Sequence, residues 1–299
     1  MISILMSTYN GAAYLREQLD SILRQEEQDW RLFIRDDGSC DDTPAILAEY
    51  AALDVRISVV QGRENWGTVG SFEYLLREYG TGDYIAFADQ DDVWFPNKLR
   101  VCLSAIRRQE SLHGKEKAIV VHSDLQVVDS QLRSLSPSFW QYSNVRPQIL
   151  DSDVHYQAIC NSITGCAMLF NQAARRLALP FAPYIYMHDA WIGTVVKQSG
   201  GVLYPIEETT MLYRQHEENV VGATSYRFTL GDWRNKWMLA KRAYYSAHPI
   251  VWRNWLHFWL WKVRYFVVLH ILQEDAYKFL DTGYYDAGRD GTYYLLFGE

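Results

Sequence analysis

Four short apolar runs, each followed by a helical pattern, place the tightest constraint on what this chain can fold into. Ile2–Ser7, Trp30–Arg35, Ile57–Val60 and Tyr84–Ala88 are strand-length. Between the first two, Ala12–Gln25 carries Tyr14, Leu15, Leu19, Ile22 and Leu23 at helical spacing. The segment Asp41-Asp42-Thr43-Pro44 opens a second helix, with proline tolerated in its first turn. Val69–Glu78 predicts a third helix and Pro96–Gln109 a fourth. A strand–helix alternation of this kind predicts the α/β class: a mostly parallel central sheet flanked by helices.

In such sheets ligands gather beyond the carboxyl ends of the strands, and three of these ends are chemically loaded. Ser7-Thr8-Tyr9-Asn10-Gly11 closes the first strand, where a turn would offer backbone N–H groups to an anion. Asn10 reads equally well as a helix N-cap, and no GxGxxG fingerprint is present. Asp36-Asp37-Gly38-Ser39 closes the second strand. One of its acids could accept a nucleobase N–H, or the run could be a capped glycine turn. Tyr84–Ala88 ends in Asp89-Gln90-Asp91-Asp92. Three carboxylates within four residues repel one another unless a cation offsets them, and a hard divalent ion, Mg²⁺ or Mn²⁺, suits oxygen donors.

A net charge of −7 leaves no basic excess for a nucleic acid backbone, so no nucleic acid partner is expected. Cys40, Cys102, Cys160 and Cys166 show neither a CxxC pair nor zinc spacing and read as reduced thiols of a cytosolic protein. No secretory leader and no apolar run of about 20 residues is visible. The expected location is therefore cytoplasmic.

From Ala118 the alternation loosens. Ala118–Val128 and Ser162–Phe170 read as strands, with Thr164-Gly165 inside the second, and Ser134–Ser152 reads as loop. Asp189–Gln198 is helical, and Val202–Pro205 and Thr209–Tyr213 are two short strands. Asp189, in Met187-His188-Asp189-Ala190-Trp191, stands at a helix start, where an acid is also a routine cap.

Taken in order, Ser7-Thr8-Tyr9-Asn10-Gly11, Arg35-Asp36-Asp37-Gly38-Ser39-Cys40-Asp41-Asp42-Thr43, Asn65-Trp66-Gly67 and Asp89-Gln90-Asp91-Asp92-Val93-Trp94 resemble a family-2 glycosyltransferase, in its rhamnosyltransferase-like branch. The resemblance runs from Met1 to about Gly222. It implies a GT-A (Rossmann-like) fold with a nucleotide-binding half, 1–110, and an acceptor half, 111–222. It also implies transfer, with inversion, of a sugar from a dTDP- or UDP-sugar, most simply dTDP-L-rhamnose. The acceptor it implies is a lipid-linked or oligosaccharide chain of a bacterial surface polysaccharide such as O-antigen or capsule.

Residue by residue, Thr8, Tyr9 and Asn10 then border the base and ribose, and Asp37, with Asp36 close by, reads the uracil or thymine imide. Asn65 and Gly67 lead to the donor pocket. Asp89 and Gln90 approach the ribose, and Asp91 is the metal ligand. Asp92 is structural. Gly165, in Thr164-Gly165-Cys166, lines the sugar and acceptor pocket, and Asp189 is the catalytic base. Tyr213-Arg214-Gln215-His216-Glu217-Glu218-Asn219 resembles the closing element, with His216 a further metal ligand and Arg214 a diphosphate contact. Glu217-Glu218 stand where a small residue is usual. Lys98 reads as a solvated helix lysine or a pyrophosphate contact.

Two rival readings stay open: a nucleotidyltransferase acting on sugar phosphates, and a non-catalytic sugar-nucleotide-binding scaffold. Residues 223–299 form a helical, aromatic-rich C-terminal extension, with Trp233, Trp237, Tyr244, Trp252, Trp255, Trp259, Trp261 and Phe266 among its rings. Basic residues interrupt Val251–Leu272, so a span is not expected. Peripheral membrane association, at the cytoplasmic face of an inner membrane, and packing on the catalytic domain fit the pattern equally.

Overall fold

The computed structural model describes residues 1–60, 64–217, 223, 233–248 and 250–270. The first half follows the alternation: β1 (Ile2–Thr8), α1 (Leu15–Leu23), β2 (Trp30–Asp36), α2 (Thr43–Leu53), β3 (Ile57–Val60), α3 (Gly67–Tyr79) and β4 (Tyr84–Ala88). A two-residue β5 (Val93–Trp94) and α4 (Lys98–His113) complete it. Then come β6 (Ile119–Asp129), β7 (Ser134–Ser136), α5 (Phe139–Tyr142), α6 (Pro147–Leu150) and α7 (Val154–Ile159). β8 (Met168–Asn171), α8 (Gln172–Ala178), α9 (His188–Gln198) and β9 (Val202–Gln215) precede the last two described helices, α10 (Trp233–Ala247) and α11 (Trp255–His270).

The strands lie in the order β3-β2-β1-β4-β8-β6-β9-β5, with β7 on β6. β1 pairs in parallel with both β2 and β4, and β2 with β3. β8 runs antiparallel between β4 and β6, while β9 lies parallel to β6. The chain thus winds outward from β1 to β3, then returns to β1's other side as β4. This reversal opens a crevice beyond the ends of β1 and β4, so Thr8 and Asp89 share one rim.

Both faces of the sheet are covered at its centre, which is why β1 and β4 are buried along almost their whole length rather than alternating. On β1, Ile2, Ile4 and Met6 pack with Leu15, Leu19 and Ile22 of α1, while Leu5 turns to the other face with Phe72 and Leu75 of α3. Period-two alternation thus divides one strand between two cores.

Three local expectations need correction. The stretch Ser134–Ser152 is not plain loop but holds β7, α5 and α6. The strand expected over Ser162–Phe170 begins only at Met168, because Gly165–Ala167 is a turn of 3-10 helix. The two strands expected around Glu207 are one, β9; its register against β6 slips near Asp124, which absorbs the break in apolar pattern at Pro205–Glu208.

The C-terminal helices pack on α7. Trp252 and Phe258 are buried with Ala240 and Ala247, against Val154, Ala158 and Ile159 of α7. No helix among the described residues is long and apolar enough to cross a membrane. The boundary placed at Gly222 lies outside the described residues, as do Glu218 and Asn219 of the closing element.

Candidate active site

The turn after β1 is closed by side chains rather than open to an anion. Tyr9 N–H donates to Gln90 Oε1 at 2.8 Å, and Asn10 N–H to Ser39 Oγ at 2.8 Å. Gly11 N–H donates to Thr43 Oγ1 at 2.9 Å, and Ala12 N–H to Asp41 Oδ2 at 3.0 Å. The anion nest expected here is therefore already filled from within. Asn10 is no N-cap either: α1 starts at Leu15, and Asn10 Oδ1 instead accepts from Cys40 N–H at 2.9 Å. Gln90 Nε2 also donates to Tyr9 O at 3.0 Å, so its amide extends the β1–β4 pairing past the last backbone rung. A Cβ on Gly11 would come within 2.3 Å of Gln90 Oε1; only glycine admits this bridge.

The two acids after β2 have separate positions. Asp36 is half-buried; Thr8 Oγ1 (2.9 Å) and Ser39 Oγ (2.6 Å) donate to its Oδ1, and Ser39 N–H (3.0 Å) to its Oδ2. Asp37 is buried and accepts from Arg35 Nη1, Ser71 Oγ at 2.8 Å, Trp66 N–H at 3.0 Å and Gly67 N–H at 2.8 Å. Those four donors match the usual capacity of a carboxylate. Asp37 therefore anchors the loop that carries Asn65, Trp66 and Gly67, with Gly67 in the left-handed region at φ 69°. Arg35 is itself buried, donates to Glu64 O at 2.8 Å, and lies 4.0 Å from the centre of the half-exposed Trp66 ring.

At the end of β4, Asp89 and Asp91 are half-buried and Asp92 is fully buried. The carboxylates of Asp89 and Asp92 and the sulfur of Cys166 lie within 4.8 Å of one another. Burial and the Asp91 charge push Asp89 up to about 7, and burial pushes Asp92 well above the usual carboxylate range. Asp92 Oδ2 has no hydrogen-bond partner among the described residues. Burial and the neighbouring acids also raise the Cys166 thiol, so it stays protonated and is no ligand for a hard cation.

Two cations lie among these acids. Lys98 is buried rather than solvated, with Nζ 3.5 Å from Thr210 Oγ1 and 4.9 Å from the Trp94 ring centre. Arg214, also buried, donates to Asp91 O (2.7 Å), Ser130 O (2.8 Å) and Glu17, and lies over the Tyr14 ring. Its backbone N–H reaches Asp92 Oδ1 at 3.1 Å. Arg214 is thus a clamp on the acidic loop, and the diphosphate contact expected of it is not what this packing presents. His216 Nε2 lies 2.8 Å from Asp91 Oδ2, with its ring against Tyr14. The oxygen donors, the orphaned Asp92 oxygen and His216 beside Asp91 all fit Mg²⁺ or Mn²⁺.

Asp189 opens α9 from the far side. It is buried, and accepts from Gly165 N–H at 3.0 Å and Ala190 N–H at 2.6 Å. Burial raises it to about 6, against the pull of those two donors and of Asn161. Its charge is felt at Asp89, and one dipeptide ties the two halves together. Gly165 holds Asp189, while Cys166 belongs to the Asp89–Asp92 cluster. A Cβ on Gly165 would come within 2.7 Å of His188 Nε2, so glycine is needed for this segment to lie against the start of α9. His188 is packed between Phe72 and Phe87, and burial drives it down to about 3, hence neutral.

Behind Asp189 runs a polar chain that sequence reasoning passed over. His122 Nε2 lies 2.9 Å from Asp151 Oδ2; Ser162 Oγ donates to Asp151; Gln157 Oε1 accepts from Ser162 Oγ at 2.9 Å; and Gln157 Nε2 donates to Asn161 Oδ1 at 2.7 Å. The available signal was the polar run His122-Ser123-Asp124 between the apolar ends of β6, since buried polar groups need partners.

The model of the family described as "Glycosyl transferase family 2" matches residues 3–177. Among curated proteins, the chain is 28% identical over 254 residues to "dTDP-rhamnosyl transferase RfbG" of Shigella flexneri, covering 78% of this chain and 80% of that one. It is 25% identical over 252 residues to "Putative teichuronic acid biosynthesis glycosyltransferase TuaG" of Bacillus subtilis, covering 84% and 88%. Among solved structures, S. aureus TarS 1-349 in complex with UDP-GlcNAc superposes with a TM-score of 0.60 at 14% identity, covering 96% of this chain and 77% of that one.

Proposed function

This chain belongs to glycosyl transferase family 2, and from that premise we propose that it moves L-rhamnose from dTDP-L-rhamnose, with inversion, onto a saccharide acceptor of a bacterial surface polysaccharide. The observation that carries the reading is the juxtaposition of Asp189 and the Asp89–Asp92 cluster across Gly165-Cys166. A sugar–diphosphate bond breaks with negative charge building on the diphosphate, and inversion in one step needs a base on the opposite face of the sugar. Acids on two separate supports meet both needs. The relatives with rhamnosyl and teichuronic acid names support the donor and the product class.

In this reading Thr8, Tyr9, Asn10 and Gln90 form the floor under base and ribose. Asp37 holds the Asn65–Gly67 wall in place, and Asp36 Oδ2, with one donor, keeps room for a base N–H. Asp89 faces the ribose, while Asp91, with His216 behind it, holds Mg²⁺ or Mn²⁺. When bound, that ion neutralises charge on the leaving diphosphate. Arg214 steadies the Asp91 loop, Gly165 lets the base approach the sugar, and Asp189 takes the proton of the acceptor hydroxyl.

A thermal-shift panel of dTDP- and UDP-sugars, with and without Mn²⁺, tests the donor. A donor at a hundred times its Kd stabilises the fold by about 2.7 kcal/mol. dTDP-rhamnose with Mn²⁺ should give the largest shift, and a larger shift with a UDP-sugar would overturn the rhamnose assignment. In Asp91→Ala the Mn²⁺-dependent part of the shift should vanish; its persistence would remove Asp91 from the metal site.

A further inference from the structure

We propose that α10 and α11 form a surface that docks on an anionic lipid bilayer. From residue 233 to residue 270 the chain carries seven Lys or Arg and no Asp or Glu, although its net charge is −7. A segment this basic in an acidic chain is matched to an anionic partner.

The same segment is apolar on its outside. Leu256, Leu260 and Val263, spaced i, i+4 and i+7 on α11, are 68%, 62% and 59% exposed. They therefore share one face, opposite the buried Phe258 that fixes α11 to the body. Trp237 of α10, 42% exposed, continues this face, with its ring against Trp255 and Trp259. Exposed Lys241, 5.8 Å from the Trp237 ring centre, and exposed Arg264, one turn after Leu260, border it.

An apolar stripe with tryptophan beside it and cations at its edges suits the headgroup boundary of a bilayer, where area burial and charge attraction act together. The face is the outer side of a helix pair rather than a groove, which favours a flat partner over an inserted peptide. Its helices pack on α7 and α9, the elements behind and bearing Asp189. A bilayer engaged there would lie on the acceptor side of the crevice. The inference rests on this surface alone and stands independently of the donor assignment.

The test is co-sedimentation of the full chain with vesicles of phosphatidylcholine alone and of equal parts phosphatidylcholine and phosphatidylglycerol. Binding is expected to the mixed vesicles only, and to weaken with salt. Each cation near such a surface contributes about fivefold in affinity, so Lys241→Glu with Arg264→Glu should weaken binding at least about twenty-fivefold. Leu256→Ser with Leu260→Ser should abolish it. Those leucines are exposed, so unchanged circular dichroism and donor-induced thermal shift are expected. Equal binding to both vesicle types, unaltered binding by either double variant, or no binding at all would overturn the proposal. So would a dimer in sedimentation velocity that the leucine variant dissociates while the wild-type chain leaves vesicles untouched; the face would then be a contact between copies.

Discussion

Asp189→Asn is expected to lower kcat by about 10²- to 10⁴-fold, the range that a positioned base contributes, while donor and Mn²⁺ still bind. That loss corresponds to roughly 3–5 kcal/mol of barrier. The asparagine keeps the volume and one acceptor oxygen for the Gly165 or Ala190 N–H, but it cannot take a proton from the acceptor hydroxyl. The donor cluster is built on β4, on another support, so nucleotide binding should stay within a fewfold of wild type. Quantifying free dTDP and glycosylated acceptor in one assay, beside calorimetric titration of the donor, separates the two effects. A variant retaining a tenth or more of wild-type turnover would remove Asp189 from the base role.

The same residue is expected to set the acid limb of the pH profile. Burial raises its carboxyl from the ordinary value of 3.8 to about 6. Below that pH the group is protonated and cannot accept a proton, so kcat/KM should fall as pH drops through about 6. An unperturbed aspartate would place this limb near pH 4. The residual activity of Asp189→Asn should lack the limb. An identical limb in the variant would assign it to another group.

How much of this was legible beforehand differs between the two halves of the site. β1 and β4 announced themselves because both faces of the sheet are covered there, so each is a largely apolar run ending abruptly in polar residues. The acids at those ends were visible for the same reason. What stayed hidden is how each acid is occupied. Nothing in Asp36-Asp37 says that the second is closed off by Arg35, Ser71, Trp66 and Gly67, because three of these lie about 30 residues away in sequence. Arg214 looked free for a phosphate, yet Glu17, Ser130 and Asp91 come from three distant segments to hold it. Around Asp189 the reading was weaker because β8, β6 and β9 mix directions and the support comes from irregular backbone. Gly165–Ala167 sits in a 3-10 turn whose apolar sequence is indistinguishable from the strand after it.

Asp37→Ala is expected to be the costliest substitution for stability, about 3–5 kcal/mol, the range for breaking a buried ion pair by removing one partner. Arg35 is 1% exposed and cannot turn to water. Its guanidinium would keep Ser71 Oγ and Glu64 O but lose the only carboxylate bonded to it among the described residues. The Trp66 and Gly67 N–H groups would lose their acceptor at the same time. The α3 entry and the Asn65–Gly67 wall should loosen together, so donor affinity should fall with stability. Urea unfolding with a constant m-value measures the first effect and donor titration the second. Asp37→Asn should cost less, since an amide oxygen still accepts from part of the set. The decisive comparison is Arg35→Met combined with Asp37→Ala. Replacing the stranded charge by an apolar chain should restore part of the loss, whereas two independent contacts would add. Equal additive losses, or an Asp37→Ala cost below about 1 kcal/mol, the level of an exposed pair, would show that the charge pair does not hold this corner of the donor site.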